Sequence, residues 1–198
     1  MTPLQLSSPH IIAMVGIPGA GKSQFAREFA KMFGAPVFDV DLLRQLSSQE
    51  SLLSPIASQI LQEMMKTKQT LIYEGLTERR SWRAELSRLA RMSGYRVLFV
   101  WVQTDVPTAR SRWLKQHRDS GAEQAENLFE QKLKQFSPPH AVEPSVVISG
   151  RHTYTTQART LLRRLSGAHT TSRAAATPPH RLPLRQPTDR LNSRPRPE

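Results

Sequence analysis

The 198 residues contain no cysteine, which excludes disulfides, thiolate metal sites and a cysteine nucleophile. No apolar run approaches the ~20 residues that a membrane span needs. The first ten residues lack both the basic start and the apolar stretch of a signal peptide, so no membrane association is expected and the cytoplasm is the default location. The six histidines (His10, His117, His140, His152, His169 and His180) have no close paired spacing, which argues against zinc. Acidic residues are also sparse, 16 against 28 Lys and Arg, giving a formal charge of +12. Residues 168–198 hold six Arg against Asp189 and Glu198, a local +4, so +8 remains on residues 1–167. Both parts are basic, which suits polyanionic ligands such as nucleotides or nucleic acid; plain solubility is the competing explanation for scattered surface arginines.

The last segment lacks something else. Residues 168–198 contain no aromatic residue but six prolines and six arginines. That composition has too little apolar surface to offset ordering entropy, so a disordered Arg/Pro-rich basic tail is expected there, following one domain over 1–167.

Residues 1–167 read as strands alternating with helices. Ile11–Val15 is a continuous apolar run ending at Gly16, the pattern of a strand buried on both faces. A helix from Lys22 carries Phe25, Phe29 and Phe33 at i, i+4, i+8 and stops at Gly34. Residues 36–40 form a short second strand. Ser54-Pro55 reads as an N-cap with proline at N1, opening a helix with Ile56, Ile60, Leu61, Met64 and Met65 inward. Residues 70–74 form a third strand, followed by a helix striped by Trp82, Leu86, Leu89 and Ala90 and ended by Gly94. Residues 97–102 form a central strand. Residues 107–135 are helical with a break near Ser120-Gly121, residues 145–149 form a fifth strand, and a final helix covers about 155–166. Five strands joined by helical crossovers imply a parallel, doubly wound α/β sheet.

The residues with chemistry begin at Gly16-Ile17-Pro18-Gly19-Ala20-Gly21-Lys22-Ser23, which satisfies G-x-x-x-x-G-K-[ST] between a buried strand and an amphipathic helix. Glycines at 16, 19 and 21 let backbone N–H groups turn inward around phosphates, and the helix N-terminus, starting with Lys22, Ser23 and Gln24, adds partial positive charge. Lys22 reaches the β- and γ-phosphates of ATP, and the Ser23 hydroxyl ligates Mg²⁺. No N-K-x-D guanine-reading tetrapeptide accompanies this loop, which counts against a GTPase switch. An ATP-dependent binding protein remains the alternative to an enzyme.

The second strand ends Phe38-Asp39-Val40-Asp41-Leu42-Leu43-Arg44. Here the chain resembles the P-loop kinases that include polynucleotide 5′-hydroxyl kinases and zeta-toxin-like sugar kinases, a resemblance spanning about residues 10–166. It implies a P-loop NTPase three-layer sandwich of the nucleoside-kinase type, with a five-stranded, mostly parallel sheet and helices on both faces. In that group a D-x-x-R pattern supplies the base and a substrate-holding arginine, roles that fall on Asp41 and Arg44. The bland alternative is that Asp41 caps the following helix. Glu74-Gly75 matches the E-G-T of zeta-like members, with Leu76 in place of the threonine; Glu74 would hold a Mg²⁺-bound water, or else pair with Arg79 or Arg80. Thr77 and Arg80 fall on the acceptor side. Residues 107–135 correspond to a lid whose arginines cover the triphosphate, a role implied for Arg112 and Arg118, with Trp113 where the group usually has asparagine. Arg151, after the last strand, lies where such folds pack adenine. The expected reaction is γ-phosphoryl transfer from ATP to a hydroxyl, with a polynucleotide 5′ end favoured by the basic body and a nucleotide sugar or other small molecule as the alternative.

Overall fold

Side chains on successive positions of a strand point to opposite faces, and the central strand shows how this chain uses both. The computed structural model describes residues 6–44 and 50–173. In strand β1 (His10–Val15), Ile12 and Met14 enter one apolar cluster while Ile11, Ala13 and Val15 enter another. The first cluster is completed by Phe25, Phe29 and Phe33 of helix α1 (Lys22–Phe33), and by side chains of α5 (Val106–Gln116), α6 (Ala122–Gln135) and α7 (Tyr154–Arg173). The second is completed by α3 (Glu50–Met65) and α4 (Arg80–Met92). Helices therefore cover both faces of the sheet, in three layers. The rings of Phe25, Phe29 and Phe33 stack along α1 with centroids 5.3 and 5.1 Å apart, contacts worth about 0.5–1.5 kcal/mol each beyond simple burial.

The other strands are β2 (Val37–Asp39), β3 (Leu71–Glu74), β4 (Arg96–Gln103) and β5 (Ser145–Ser149), and α2 (Val40–Arg44) follows β2 directly. Their order is β2-β3-β1-β4-β5, and every pairing is parallel. The sheet is thus wholly parallel, where a mostly parallel one was expected. Winding reverses at β1, which has β3 on one side and β4 on the other, and ligands of such sheets bind beyond the carboxyl ends of the strands at that point. The glycine-rich loop leaves β1 there.

Two helices differ from expectation. α3 begins at Glu50 rather than at Ser54, and Pro55 lies inside it. The reason is the buried line Leu53, Ala57, Leu61 and Met65 at i, i+4, i+8, i+12, which starts one turn earlier and outweighs the hydrogen bond lost at proline. Ile56 consequently faces solvent, 39% exposed, instead of the core. α7 continues past 166 to Arg173; the rest of the expected tail, 174–198, lies outside the described residues. No described helix is long and apolar enough to cross a membrane.

The most buried charge in the fold is Arg83 on α4, 1% exposed. Its guanidinium donates to the carbonyls of Thr77 (2.9 Å), Ser137 (2.9 Å) and Pro138 (3.2 Å), and to both oxygens of Glu143 at 2.8 and 3.1 Å. It thereby joins the loop after β3 to the loop between α6 and β5. Burial alone would raise the Glu143 carboxyl, but the bonds from Arg83 and the His140 N–H outweigh it and hold the pKa below the usual 4.5. Removing one partner leaves a buried charge uncompensated, so Arg83→Met should cost about 3–5 kcal/mol, a fall in Tm of roughly 10 °C at this chain length. Because the Glu143 pKa is depressed, its contribution is present above pH 4.5 and lost as pH drops through the lower folded value. Thermal melts from pH 7 to 3 should show that acid loss in the wild type and less of it in the variant. Equal melting temperatures at pH 7 would refute the role given to this pair.

Candidate active site

The loop after β1 is shaped by two close approaches. Gly19 adopts φ 72° against α5, where a Cβ would overlap the Ala109 carbonyl. Gly150, after β5, lies so close to Thr104 and the Ala20 carbonyl that no side chain fits. Thr104 Oγ1 donates to the Ala20 carbonyl at 3.1 Å, fixing the loop to the turn after β4. The side chains of Ile17, Pro18 and Ala20 are buried, so these residues offer the cleft their backbone. Gly21 caps α1 in a left-handed conformation with no side-chain cap and no acid in the first turn. The first N–H groups of the helix are left to accept an anion.

Lys22 lies beneath this cradle, its ammonium donating to the Ile17 carbonyl at 3.0 Å. Desolvation pulls its pKa below 10.5 despite the nearby charges of Glu74, Glu78 and Asp39. The Ser23 hydroxyl donates to Glu74 Oε1 at 2.5 Å. Glu74 is buried at the end of β3, and burial raises its pKa against the opposing effects of the Ser23 bond and the Lys22 charge. Its partner is thus Ser23 rather than Arg79, which stacks over Trp82 at 4.9 Å, or Arg80, which starts α4 exposed to solvent.

A cleft of about 480 Å³ opens over the loop, lined by Lys22, Ser23, Gln24, Arg112, Gly150 and Arg151 among others. Arg112 donates to the Gly150 carbonyl at 3.1 Å, and Arg151 lies 3.5 Å from Asp105, the N-cap of α5. Arg118 is elsewhere. α5 ends at Gln116, and the 3₁₀ turn Arg118–Ser120 carries Arg118 into a separate hollow of about 560 Å³ with Val106, Arg110 and Leu114. The six-residue step from Arg112 spans more than one and a half turns, so the two arginines occupy different faces. Trp113 braces α5 against α6, its indole N–H donating to the Ala125 carbonyl at 2.9 Å and its ring stacking on His117. If this cleft holds a triphosphate, Arg112→Ala should lower kcat by on the order of 10²–10³ by removing a positive charge that lines it. Arg118→Ala should stay within about twofold in the same steady-state assay, and an equal loss in both variants would contradict this placement.

On the other side of the loop, Asp39 ends β2 opposite Glu74 in the parallel register. Its carboxylate accepts from the Asp41 N–H at 2.9 Å, so Asp39 caps α2 and the helix-cap role does not fall on Asp41. Burial raises the Asp39 pKa against the charges of Arg27, Arg44 and Lys22. Asp41 is half-exposed and ion-paired with Arg44 one turn on. Thr77, expected near the acceptor, is 2% exposed, with its hydroxyl donating to the Met14 carbonyl at 2.7 Å. It ties the turn after β3 to β1 and presents no exposed atom for substrate binding. Asp39, Arg83 and Glu78 were not singled out as site residues from the sequence. For Asp39 alone there was a signal, a second aspartate two residues before Asp41.

The arrangement is a phosphate cradle, a part-buried hydroxyl–carboxylate pair beside it, and a carboxylate–arginine pair in the helix α2 that follows the adjoining strand β2. A gluconokinase from Sinorhizobium meliloti 1021 superposes with a TM-score of 0.65 at 17% identity, over 87% of this chain and 100% of that one. A sugar kinase from Janibacter sp. HTCC2649 gives 0.58 at 17% identity, over 80% of this chain and 95% of that one. At such identities the likeness is one of fold, the α/β fold of P-loop kinases. No curated protein matches the sequence. Residues 11–139 match the family model described as an AAA domain, and with nearly two thirds of its length so matched the chain belongs to that family, AAA_33.

Proposed function

We propose that this chain is an ATP-dependent kinase that transfers the γ-phosphoryl group to a hydroxyl of a small, sugar-like acceptor. The observation that carries this reading is that β2 ends at Asp39 opposite Glu74, the partner of the Ser23 hydroxyl, and runs directly into α2 with its Asp41–Arg44 ion pair. A group able to orient an acceptor hydroxyl thus adjoins a group of residues able to hold a triphosphate. In-line transfer requires that juxtaposition and little covalent chemistry from the protein.

The Ser23 hydroxyl and the buried Glu74 carboxylate fit Mg²⁺, which takes hard oxygen donors and keeps several waters. The fit rests on the short Ser23–Glu74 contact and on a buried carboxylate whose pKa desolvation raises despite the nearby Lys22 and Arg27 charges. Magnesium held by these residues would supply positive charge to offset that of the triphosphate during transfer. Within the protein, the uncapped start of α1 binds phosphate oxygens, Lys22 and Arg112 offset γ-phosphate charge, and α5 with α6 excludes water. Asp41 accepts the hydroxyl proton as the acceptor oxygen bonds to the γ-phosphorus and the bond from that phosphorus to the β–γ bridging oxygen breaks, releasing ADP.

A small acceptor is supported by the two structural neighbours, which are a gluconokinase and a sugar kinase. The test is ADP release with D-gluconate, D-ribose, D-glucose, a UDP-sugar and a 5′-hydroxyl oligonucleotide. Stimulation at least tenfold by a small polyol is expected. Stimulation by the oligonucleotide alone, weakening steeply with salt, would overturn the small-acceptor reading.

A further inference from the structure

The cleft over the glycine-rich loop has a second end. Its phosphate end is set by Gly21, with the Arg112 guanidinium beside it. One turn on along α5, and across the turn that follows β5, the lining continues with Gln116, Arg151, His152 and Gln157. At about 480 Å³ the whole space has the size of a small-molecule pocket, typically about 300–1,000 Å³. Phosphates held at the start of α1 leave this second end for the base of a nucleotide. Gln116, Arg151 and His152 are exposed there, whereas Gln157, near the start of α7, is 8% exposed. Its Nε2 donates to the Ser149 carbonyl at 2.7 Å. That carbonyl ends β5 and also accepts from the His152 N–H at 3.2 Å, while the Gly150 N–H donates to the Gln103 carbonyl of β4 at 2.8 Å. The sheet thus fixes the Ser149 oxygen, and that oxygen fixes the amide. Turning the amide over would set Oε1 against the Ser149 carbonyl, acceptor against acceptor, and forfeit the bond. Oε1 itself accepts from no described residue and is not sealed from solvent. Of the hollows described, Gln157 borders only this one. Buried polar groups are nearly always paired, and a buried amide with one end tied and a bare acceptor at a cleft is preorganised for a donor.

We infer that Gln157 is a specificity-determining residue for the nucleotide, its Oε1 accepting a hydrogen bond from the 6-amino group of adenine. The inference rests on the reading of this cleft as a nucleoside triphosphate site and adds how it selects the base. A purine with oxygen at position 6, as in guanine and hypoxanthine, brings an acceptor to an acceptor that cannot turn over. Selection therefore comes from repulsion of the wrong base as well as attraction of the right one. A site built to bond a polar group rejects the analogue lacking it far more strongly than one that merely encloses it. Arg151 cannot do the same. A guanidinium offers donors only, and this one is drawn to Asp105 at 3.5 Å, so it has no means of accepting from an amino group.

The test is isothermal titration calorimetry of the full chain with the magnesium complexes of three nucleotides. These are ATP, purine riboside triphosphate, which lacks the 6-amino group, and inosine triphosphate, which carries oxygen in its place. The wild type should bind purine riboside triphosphate about tenfold more weakly than ATP, the loss of one bond to a buried acceptor. Inosine triphosphate should bind about 100-fold more weakly than ATP. Gln157→Leu should weaken ATP about tenfold, leave purine riboside triphosphate within about twofold, and tighten inosine triphosphate about tenfold, because the repelling oxygen is gone. A variant that weakens all three alike would make the amide a tie for the turn after β5 and overturn the assignment. So would a 2′-deoxy-ATP deficit in the wild type that disappears in Gln157→Leu, which would give Oε1 to the ribose. The wild-type comparison needs no variant and decides the matter even if Gln157→Leu fails to fold. Equal wild-type affinities for the three nucleotides would sink the role of Gln157 and leave the kinase reading standing. A wild type that binds none of them would sink both. Binding is read without an acceptor, so neither outcome depends on what the chain phosphorylates.

Discussion

Lys22→Met is expected to lower acceptor-stimulated ATP turnover by at least ~10³ while raising the melting temperature of the nucleotide-free protein. The first effect follows from position. The ammonium lies beneath a cradle whose backbone N–H groups bind phosphate but carry no full charge, and a fixed cation in a water-poor site has large leverage over charge developing in a transition state. The second follows from desolvation. Desolvation holds the Lys22 pKa below 10.5 against the nearby Glu74, Glu78 and Asp39 charges, so below the lowered folded value both states carry the proton and the fold bears the net cost of a partly desolvated cation. Between that value and 10.5 the unfolded chain binds the proton and the folded chain does not, so stability should rise with pH across the window. An isosteric methionine removes both the cost and this rise. Differential scanning calorimetry from pH 7 to 10.5, with and without ATP, reads all of these. A variant that melts lower than the wild type, or that still gains stability from ATP, would contradict the assignment.

Asp41→Asn should lower phosphoryl transfer by on the order of 10²–10⁴ with ATP affinity unchanged within a few-fold. The amide keeps the shape of the side chain and can still receive a bond from Arg44, but it cannot take up the hydroxyl proton. The cap of α2 does not depend on it, because Asp39 accepts the Asp41 N–H, so the helix should survive and circular dichroism should be unaltered. Pre-steady-state quench flow separates the cases. Slowed chemistry with normal ATP binding fits a base, whereas normal chemistry would leave Asp41 as no more than an anchor for Arg44.

The glycine-rich loop was legible in the sequence because each of its positions answers a backbone requirement that few residues meet. The strands were legible as apolar runs, with β1 located to within one residue and β5 to its bounds. The start of α3 was expected at Ser54 because Ser54-Pro55 is a strong local signal, whereas Leu53, one turn before Ala57, shows its weight only once it is buried in the folded chain. Arg118 was assigned by spacing along a helix that in fact ends at Gln116. Arg83 and Glu143 are 60 residues apart, and no local pattern distinguishes a buried arginine from the exposed Arg79, Arg80 and Arg88 around it. Residues 45–49, which follow the D-x-x-R pattern, lie outside the described residues.

The central claim is transfer to an acceptor rather than hydrolysis, and ³¹P NMR of the full chain with Mg·ATP and the best polyol tests it most directly. The account predicts that ADP and a phosphate-ester resonance of the polyol grow together in equal amounts, and that both vanish in Asp41→Asn. ADP accompanied only by inorganic phosphate, at a rate indifferent to the polyol, would contradict it and make the protein a nucleotide hydrolase.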